Sequence, residues 1–491
     1  MNNAWILFPI LFPLLCGALI GAISFTQEKP RDIYVTLVTV INSAFILYLV
    51  FSRSTLAFRA IQITPQAAIA FRIDGLSMVY AGLLALLWPL ASIYGFEYMR
   101  REKKQNAFFA FYTMSYGVAA GVAFSANLIT MYLCYELLTL ITLPIIMHEM
   151  DVKALDAGRK YLMYSVCGAA FAFMGIMILM NAAGTTDFVY GGVLQGVNTA
   201  GRKNLLRAAY VVTFFGFGVK AAVWPFHGWL PTAGVAPTPV TALLHAVAVV
   251  KAGVFAIMRV TYYGFGPDIL MGSWAQYVVF SFACWTVVFG SIMAVREQHL
   301  KRRLAYSTVS NLSYILIGVT LMTPEGLTGG LAHMLFHGVM KIVLFFGAGA
   351  VICHTGKEYI FQMRGYAKKM PVTFGCFIVG SAALMGLPGL CGFVSKWYLA
   401  KAAVDSSLSI APLGVIALII SAILTAVYQF TVIVPAYVPG KNFNEASLEN
   451  VHEAGKCMTV PMVVLCCLMV LSGLFSGPLV SFFTQVGSGL I

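Results

Sequence analysis

The sequence predicts an all-α polytopic membrane protein of about fourteen transmembrane helices. Hydrophobic residues make up 60% of the 491 positions and charged residues only 10%. The mean hydropathy is +0.86. A soluble core cannot absorb that much apolar surface. Apolar runs long enough to span a bilayer recur near 4–24, 33–51, 75–96, 107–124, 127–147, 161–181, 208–226, 238–262, 273–295, 304–321, 329–352, 372–400, 409–437 and 457–480.

Nothing between these runs is long enough for a soluble unit, so residues 1–491 are expected to form a single integral membrane domain. The longest connections, near 182–207 and 438–456, are short polar stretches. The first run follows Met-Asn-Asn without a basic leader or a small-residue cleavage site, and reads as a retained helix.

The net charge of +13 does not point to nucleic acid, because the basic residues are spread by loop and not gathered in a patch. Odd-numbered loops carry about 19 Lys and Arg, even-numbered loops about 7, and the positive-inside rule then makes the odd loops cytoplasmic. Arg100, Arg101, Lys103 and Lys104 are among the odd-loop residues. Both termini are expected on the outer face of a prokaryotic cytoplasmic (inner) membrane. The 10 cysteines fall almost entirely inside apolar runs, with no CxxC pair. They support no disulfide framework, metal or iron–sulfur site, and no flavin, haem or quinone motif is present. No cofactor is expected, and any redox chemistry belongs to other subunits.

Five ionisable side chains nevertheless sit inside the apolar runs: Glu136, Lys220, Lys251, Lys341 and Lys396. Each costs roughly 2.5–3.5 kcal/mol at mid-bilayer, so together they oppose insertion by about 15 kcal/mol. A structural spacer has no use for them, and a charge-transfer route does. The seventh run is interrupted at Trp224-Pro225-Phe226-His227-Gly228-Trp229-Leu230-Pro231 and the twelfth at Gly386-Leu387-Pro388-Gly389-Leu390-Cys391-Gly392. Broken helices in corresponding positions point to a transporter with inverted repeats. A plain kink is the alternative, but each of these breaks has a lysine beside it, Lys220 or Lys396.

The segments Tyr135-Glu136-Leu137-Leu138, Val219-Lys220-Ala221-Ala222-Val223 running into the first break, Ala236-Pro237-Thr238-Pro239-Val240, Leu300-Lys301-Arg302-Arg303-Leu304-Ala305-Tyr306-Ser307-Thr308 and Gly392-Phe393-Val394-Ser395-Lys396 resemble motifs of the antiporter-like subunits of respiratory complex I. Mrp cation/proton antiporters and energy-converting membrane hydrogenases share them. The resemblance implies fourteen helices with two inverted five-helix repeats, at approximately 107–262 and 273–437, with broken helices 7 and 12 and a polar axis at the midplane. By motif position Glu136 matches the family's glutamate on helix five, Lys220 its lysine on helix seven, Lys251 its lysine on helix eight and Lys396 the ionisable position on helix twelve. Some complex I subunits carry glutamate at that last position; this chain has lysine.

The resemblance implies a proton- or cation-translocating subunit of a complex-I-like redox-driven pump, working among other membrane subunits, including antiporter-like paralogues. The alternative is the D-type subunit of a multisubunit Mrp Na+/H+ antiporter with no redox partner. H+ is the expected ion, with Na+ left open.

Glu136 and Lys220 read as an ion pair whose strength sets proton release towards Lys251, or else as a static pin between helices. His333, His337 and Lys341 fall at i, i+4 and i+8 on the eleventh run, one polar stripe between Lys251 and Lys396. A metal site on that stripe lacks a completing carboxylate or thiolate. His245 precedes Lys251 by six residues, about 9 Å along an ideal helix and off its face, so a packing hydrogen bond competes with a relay role. Lys301, Arg302, Arg303 and Tyr306 read as a topology anchor or a lipid or subunit contact outside the path.

Overall fold

A computed structural model describes residues 3–52, 56–440, 443 and 448–491. Part of the polar connection at 438–456 lies outside the described residues. Among the described residues, eleven helices are long and apolar enough to cross a membrane. They are α1 (Ala4–Ile23), α2 (Glu28–Phe51), α3 (Gly75–Met99), α4 (Gln105–Phe124), α5 (Leu128–Ile146) and α6 (Val152–Ala183), followed, beyond the break, by α8 (Thr238–Phe265), α9 (Trp274–Arg296), α11 (Pro324–Thr355), α14 (Ala411–Tyr437) and α15 (Lys456–Leu474). The remaining expected spans are helices too, but broken or polar. α7 (Lys203–Gly218) stops at the first interruption, α10 (Leu300–Thr320) opens on Lys301, Arg302 and Arg303, and α12 (Pro371–Met385) and α13 (Cys391–Asp405) flank the second.

Local chemistry sets the helix starts. The Asp74 carboxylate accepts from Ser77 N at 3.0 Å while the Ser77 hydroxyl accepts from Asp74 N, a reciprocal cap on α3. Asn127 caps α5 through Thr130 N at 2.8 Å, and Asp151 caps α6 through Ala154 N at 2.7 Å.

One element departs from the helical expectation. Between α2 and α3 an antiparallel hairpin pairs β1 (Ala57–Thr64) with β2 (Ala67–Arg72). Pro65 lies in its turn, where a fixed φ favours reversal. Its Ala68 carbonyl accepts from Asn127 Nδ2 at 2.8 Å, fastening the hairpin to the start of α5.

Loop contacts sort by parity. Phe71 bridges to Ser125 and Asn127 to Asp187, all even-numbered loops, whereas His299 bridges to Tyr359 and Gly455 N donates to Glu97 Oε1 at 2.6 Å between odd ones. Asn3 N donates to Ala57 O at 2.9 Å and Tyr190 to Gly487 O at 2.6 Å, so both ends of the chain lie with the even loops.

The centre of the bundle is α8 and α11. All of the membrane-crossing window of α8 is buried, and 89% of that of α11, against 33% for α1 and for α15. These two helices bear the buried side chains of His245, Lys251, His333, His337 and Lys341.

Candidate functional site: a buried ionisable row

Beyond Gly218 the chain unwinds. Ala222 takes a left-handed φ of 54° and Trp224 precedes proline, which disfavours continued helix. Trp229 folds back and donates its indole N–H to Val219 O at 2.7 Å, bracing the unwound stretch. Lys220 thus points sideways at α5, where its Nζ donates to Tyr135 O at 2.5 Å and lies 3.4 Å from Glu136 Oε1. The ammonium also sits 3.3 Å from the centre of the Tyr135 ring. The expected ion pair forms with unequal surroundings: the Lys220 side chain is 1% exposed and that of Glu136 25%.

Helix α8 passes directly against this break. A Cβ on Gly253 would stand 2.5 Å from Ala221 N and 2.9 Å from the Lys220 carbonyl carbon, so only glycine lets the two backbones meet. Two residues before Gly253, Lys251 turns towards α11 and its Nζ lies 2.6 Å from His337 Nδ1. From there the row continues along α11. The rings of His337 and His333 stack with centres 5.7 Å apart. His333 contacts Ser395 Oγ through Nδ1 at 2.9 Å and Asn311 Oδ1 through Nε2 at 3.2 Å. Tyr314 stacks on His333 at 5.2 Å, and Lys396 Nζ lies 5.3 Å from the Tyr314 ring centre.

Lys396 does more at the second break than the sequence suggested. Its Nζ donates to Leu384 O at 2.6 Å and Met385 O at 3.1 Å, the carbonyls that α12 leaves unpaired where it ends. An ammonium at a helix C-terminus also meets the negative end of the helix dipole.

Two expectations change. The stripe on α11 is divided: His333 and His337 bridge Lys251 to the Lys396 side, whereas Lys341 turns to α10, donating to Leu304 O at 2.9 Å and to the Ser307 hydroxyl. Helix α8 is π-helical over Leu243–Val247, so an ideal 3.6-residue period misplaces His245. Among the described residues, no packing hydrogen bond reaches His245. Its two ring nitrogens are buried without a partner among the described residues, and the ring packs on Phe345 at 4.8 Å.

Sequence reasoning missed several participants. Tyr135, Asn311, Tyr314 and Ser395 are neutral and therefore silent in a search for charges. Arg259 is a sixth charged side chain within an apolar run. It is fully buried, and its guanidinium grips Asp74 through two bonds of 2.7 Å. Lys301 and Arg303 are not exposed anchors. Both are buried, Lys301 Nζ donating to Ala236 O at 3.0 Å and Arg303 to Tyr428 O at 2.8 Å, while Arg302 alone faces outward.

Residues 125–425 match the family described as NADH:quinone oxidoreductase/Mrp antiporter, transmembrane. The chain is 31% identical over 439 residues to NADH-quinone oxidoreductase subunit N of Desulforudis audaxviator, covering 86% of this chain and 85% of that one. It is 30% identical over 437 residues to an Na(+)/H(+) antiporter subunit of Alkalihalophilus pseudofirmus, spanning 84% of this chain but only 53% of that longer protein. Among solved structures, a chain of the membrane-bound sulfane sulfur reductase, an archaeal respiratory membrane complex, superposes with a TM-score of 0.86 at 21% identity, covering 99% of this chain and 97% of that one.

Proposed function

Because the chain belongs to the NADH:quinone oxidoreductase/Mrp antiporter transmembrane family, we propose that it is a proton-translocating membrane subunit of a complex-I-like redox-driven pump. It moves H+ along the row Glu136, Lys220, Lys251, His337, His333 and Lys396. The observation that carries this reading is the 2.6 Å approach of Lys251 to His337, a proton-exchange distance in the most buried part of the bundle. Lysine suits such a row because burial shifts its pKa readily, which arginine resists. Neighbouring membrane subunits, antiporter-like paralogues among them, adjoin the row at its two ends, Glu136 and Lys396, one end receiving the proton and the other releasing it.

The two halves support a repeat reading over 107–262 and 273–437. Each has a 32-residue helix, α6 or α11, followed directly by a broken one with its lysine. On this reading residues 1–491 form a single domain of fourteen crossings, with odd loops cytoplasmic and both termini outside. Exchange of Na+ for H+ without redox chemistry is the second reading. The 30% identity to an Na(+)/H(+) antiporter subunit favours it.

The test is transport by the whole complex in inverted membrane vesicles, with assembly followed on a native gel. Lys220→Ala and Glu136→Ala should each abolish proton movement and leave the complex assembled. Full pumping by either variant sinks the relay. Transport driven by a respiratory substrate, and indifferent to Na+, separates the pump from the antiporter.

A further inference from the structure

Each broken helix carries one lysine, and each of those lysines stands over a tyrosine ring. Lys220 Nζ lies 3.3 Å from the centre of the Tyr135 ring, and Lys396 Nζ 5.3 Å from that of Tyr314. Both tyrosines are buried. Among the described residues these are the two lysines seated on a ring; Lys251 and Lys341, away from the breaks, are not.

The two tyrosines hold corresponding places. On the repeat reading above, α5 and α10 are the second helices of their halves and the broken helices the fourth. Each hydroxyl donates to a backbone carbonyl, Tyr135 to Phe217 O at 3.2 Å and Tyr314 to Leu418 O at 3.4 Å, and so fixes how its ring is turned. Phe217 is the penultimate residue of α7, which ties the first ring to the break itself.

The remaining partners of the two ammonium groups differ. Lys220 meets the Tyr135 carbonyl and the Glu136 carboxylate, whereas Lys396 meets the Leu384 and Met385 carbonyls. A carbonyl accepts a hydrogen bond from a neutral amine as well as from an ammonium. The negative face of an aromatic ring attracts the cation alone, and most strongly where water is excluded. The ring is therefore the one kind of partner, common to both lysines, whose hold is lost with the proton. A ring placed only to fill space would serve equally well without its π electrons.

We infer that Tyr135 and Tyr314 are charge-sensing seats, positioning residues that hold each break lysine at its station while it is an ammonium and let it go once it is an amine. No bond to the ring forms or breaks; the only change is the lysine proton, which passes to or from the row. The inference rests on the relay reading above.

The test replaces each tyrosine, in the intact complex in vesicles, by phenylalanine, by phenylalanine bearing one, two or three ring fluorines, and by cyclohexylalanine, with assembly followed on a native gel. Fluorine draws charge from the ring face at almost constant size, and the cyclohexyl group keeps the bulk without a π face. Tyr135→Phe and Tyr314→Phe keep the ring and lose only the tether, and should transport within about threefold of the parent. Each added fluorine should slow transport further, to about tenfold below the phenylalanine variant at three fluorines, with cyclohexylalanine at least as slow. The same series at Tyr116, a buried tyrosine that stacks on Trp88 at 4.6 Å and meets the Ser43 hydroxyl, should stay at its phenylalanine level. A flat fluorine series at position 135 or 314, cyclohexylalanine variants that pump like the phenylalanine ones, or an equal fall at position 116 overturns the inference. Loss of transport in the phenylalanine variants overturns it too, because the hydroxyls and not the ring faces would then be the working groups. If Lys220→Ala is dead while the fluorine series is flat, the seats fail and the relay stands. If Lys220→Ala pumps, the relay itself has failed.

Discussion

Lys251 Nζ and His337 Nδ1 stand 2.6 Å apart, joining α8 to α11 where both helices are fully enclosed. Two positive charges at that separation would repel by roughly 6 kcal/mol even at an effective dielectric of 20. The pair therefore holds at most one charge and shares one proton: either ammonium with neutral imidazole as acceptor, or amine with imidazole as donor. Those two arrangements are the two sides of a transfer step. Nε2 of the same ring, buried without a partner among the described residues, offers the proton a second exit.

If the pair works as one device, its two members should not act independently. Lys251→Met and His337→Ala should each slow proton transport by at least about tenfold, the lower end of what a positioned proton carrier contributes. The double variant should be no slower than the worse single. Initial rates of vesicle acidification decide this, and additive losses would show that the contact is only packing.

Lys396 has two roles that substitution can pull apart. Lys396→Arg keeps donors for the Leu384 and Met385 carbonyls but releases a proton poorly. It should assemble and melt normally while transport fails. Lys396→Leu should fail in transport and also lose about 1–3 kcal/mol of stability from the uncovered carbonyls. Lys396→Glu keeps a titratable group and should retain part of the transport. If Lys396→Leu pumps at the parent rate across several pH values, the path ends elsewhere.

Gly253 carries no charge, yet the structure makes it a determinant of the site. Gly253→Val forces side-chain atoms into the Ala221 backbone, where even a Cβ would come within 2.5 Å. Pushing α8 off the first break should destabilise the bundle by about 1–3 kcal/mol. It should also separate Lys220 from Lys251. Thermal unfolding in detergent reads the first effect and vesicle transport the second; a Gly253→Val complex that matches the parent in both would show the close contact to be incidental.

Orientation can be tested without any transport assay. Cysteines introduced at Lys103 and Lys368, in odd loops, should react with an impermeant maleimide only from the cytoplasmic side. One at Asn198, in an even loop, should react only from outside. The reverse pattern would overturn the orientation assigned to the chain.

The sequence by itself determined the membrane-spanning class, the two breaks and the placement of Glu136, Lys220, Lys251, Lys396, His333 and His337 inside apolar runs. Apolar length, proline and glycine placement and unpaired charge are local properties, written residue by residue. Glu136 and Lys220 could be paired by inspection because charges in lipid must be compensated. Only the tertiary structure decided which neighbours those groups meet. Lys341 lies on the histidine stripe in sequence yet turns to Ser307 on α10, because side-chain direction depends on what packs opposite. His245 leaves its expected face through a π-turn that no 3.6-residue pattern anticipates. Lys301 reads as a surface anchor in a basic run, and becomes buried because Ala236, sixty-five positions earlier, presents a carbonyl to it. Contacts between residues far apart in the chain are set by how helices are placed in space, and a linear pattern of charge and hydropathy carries no distance between them.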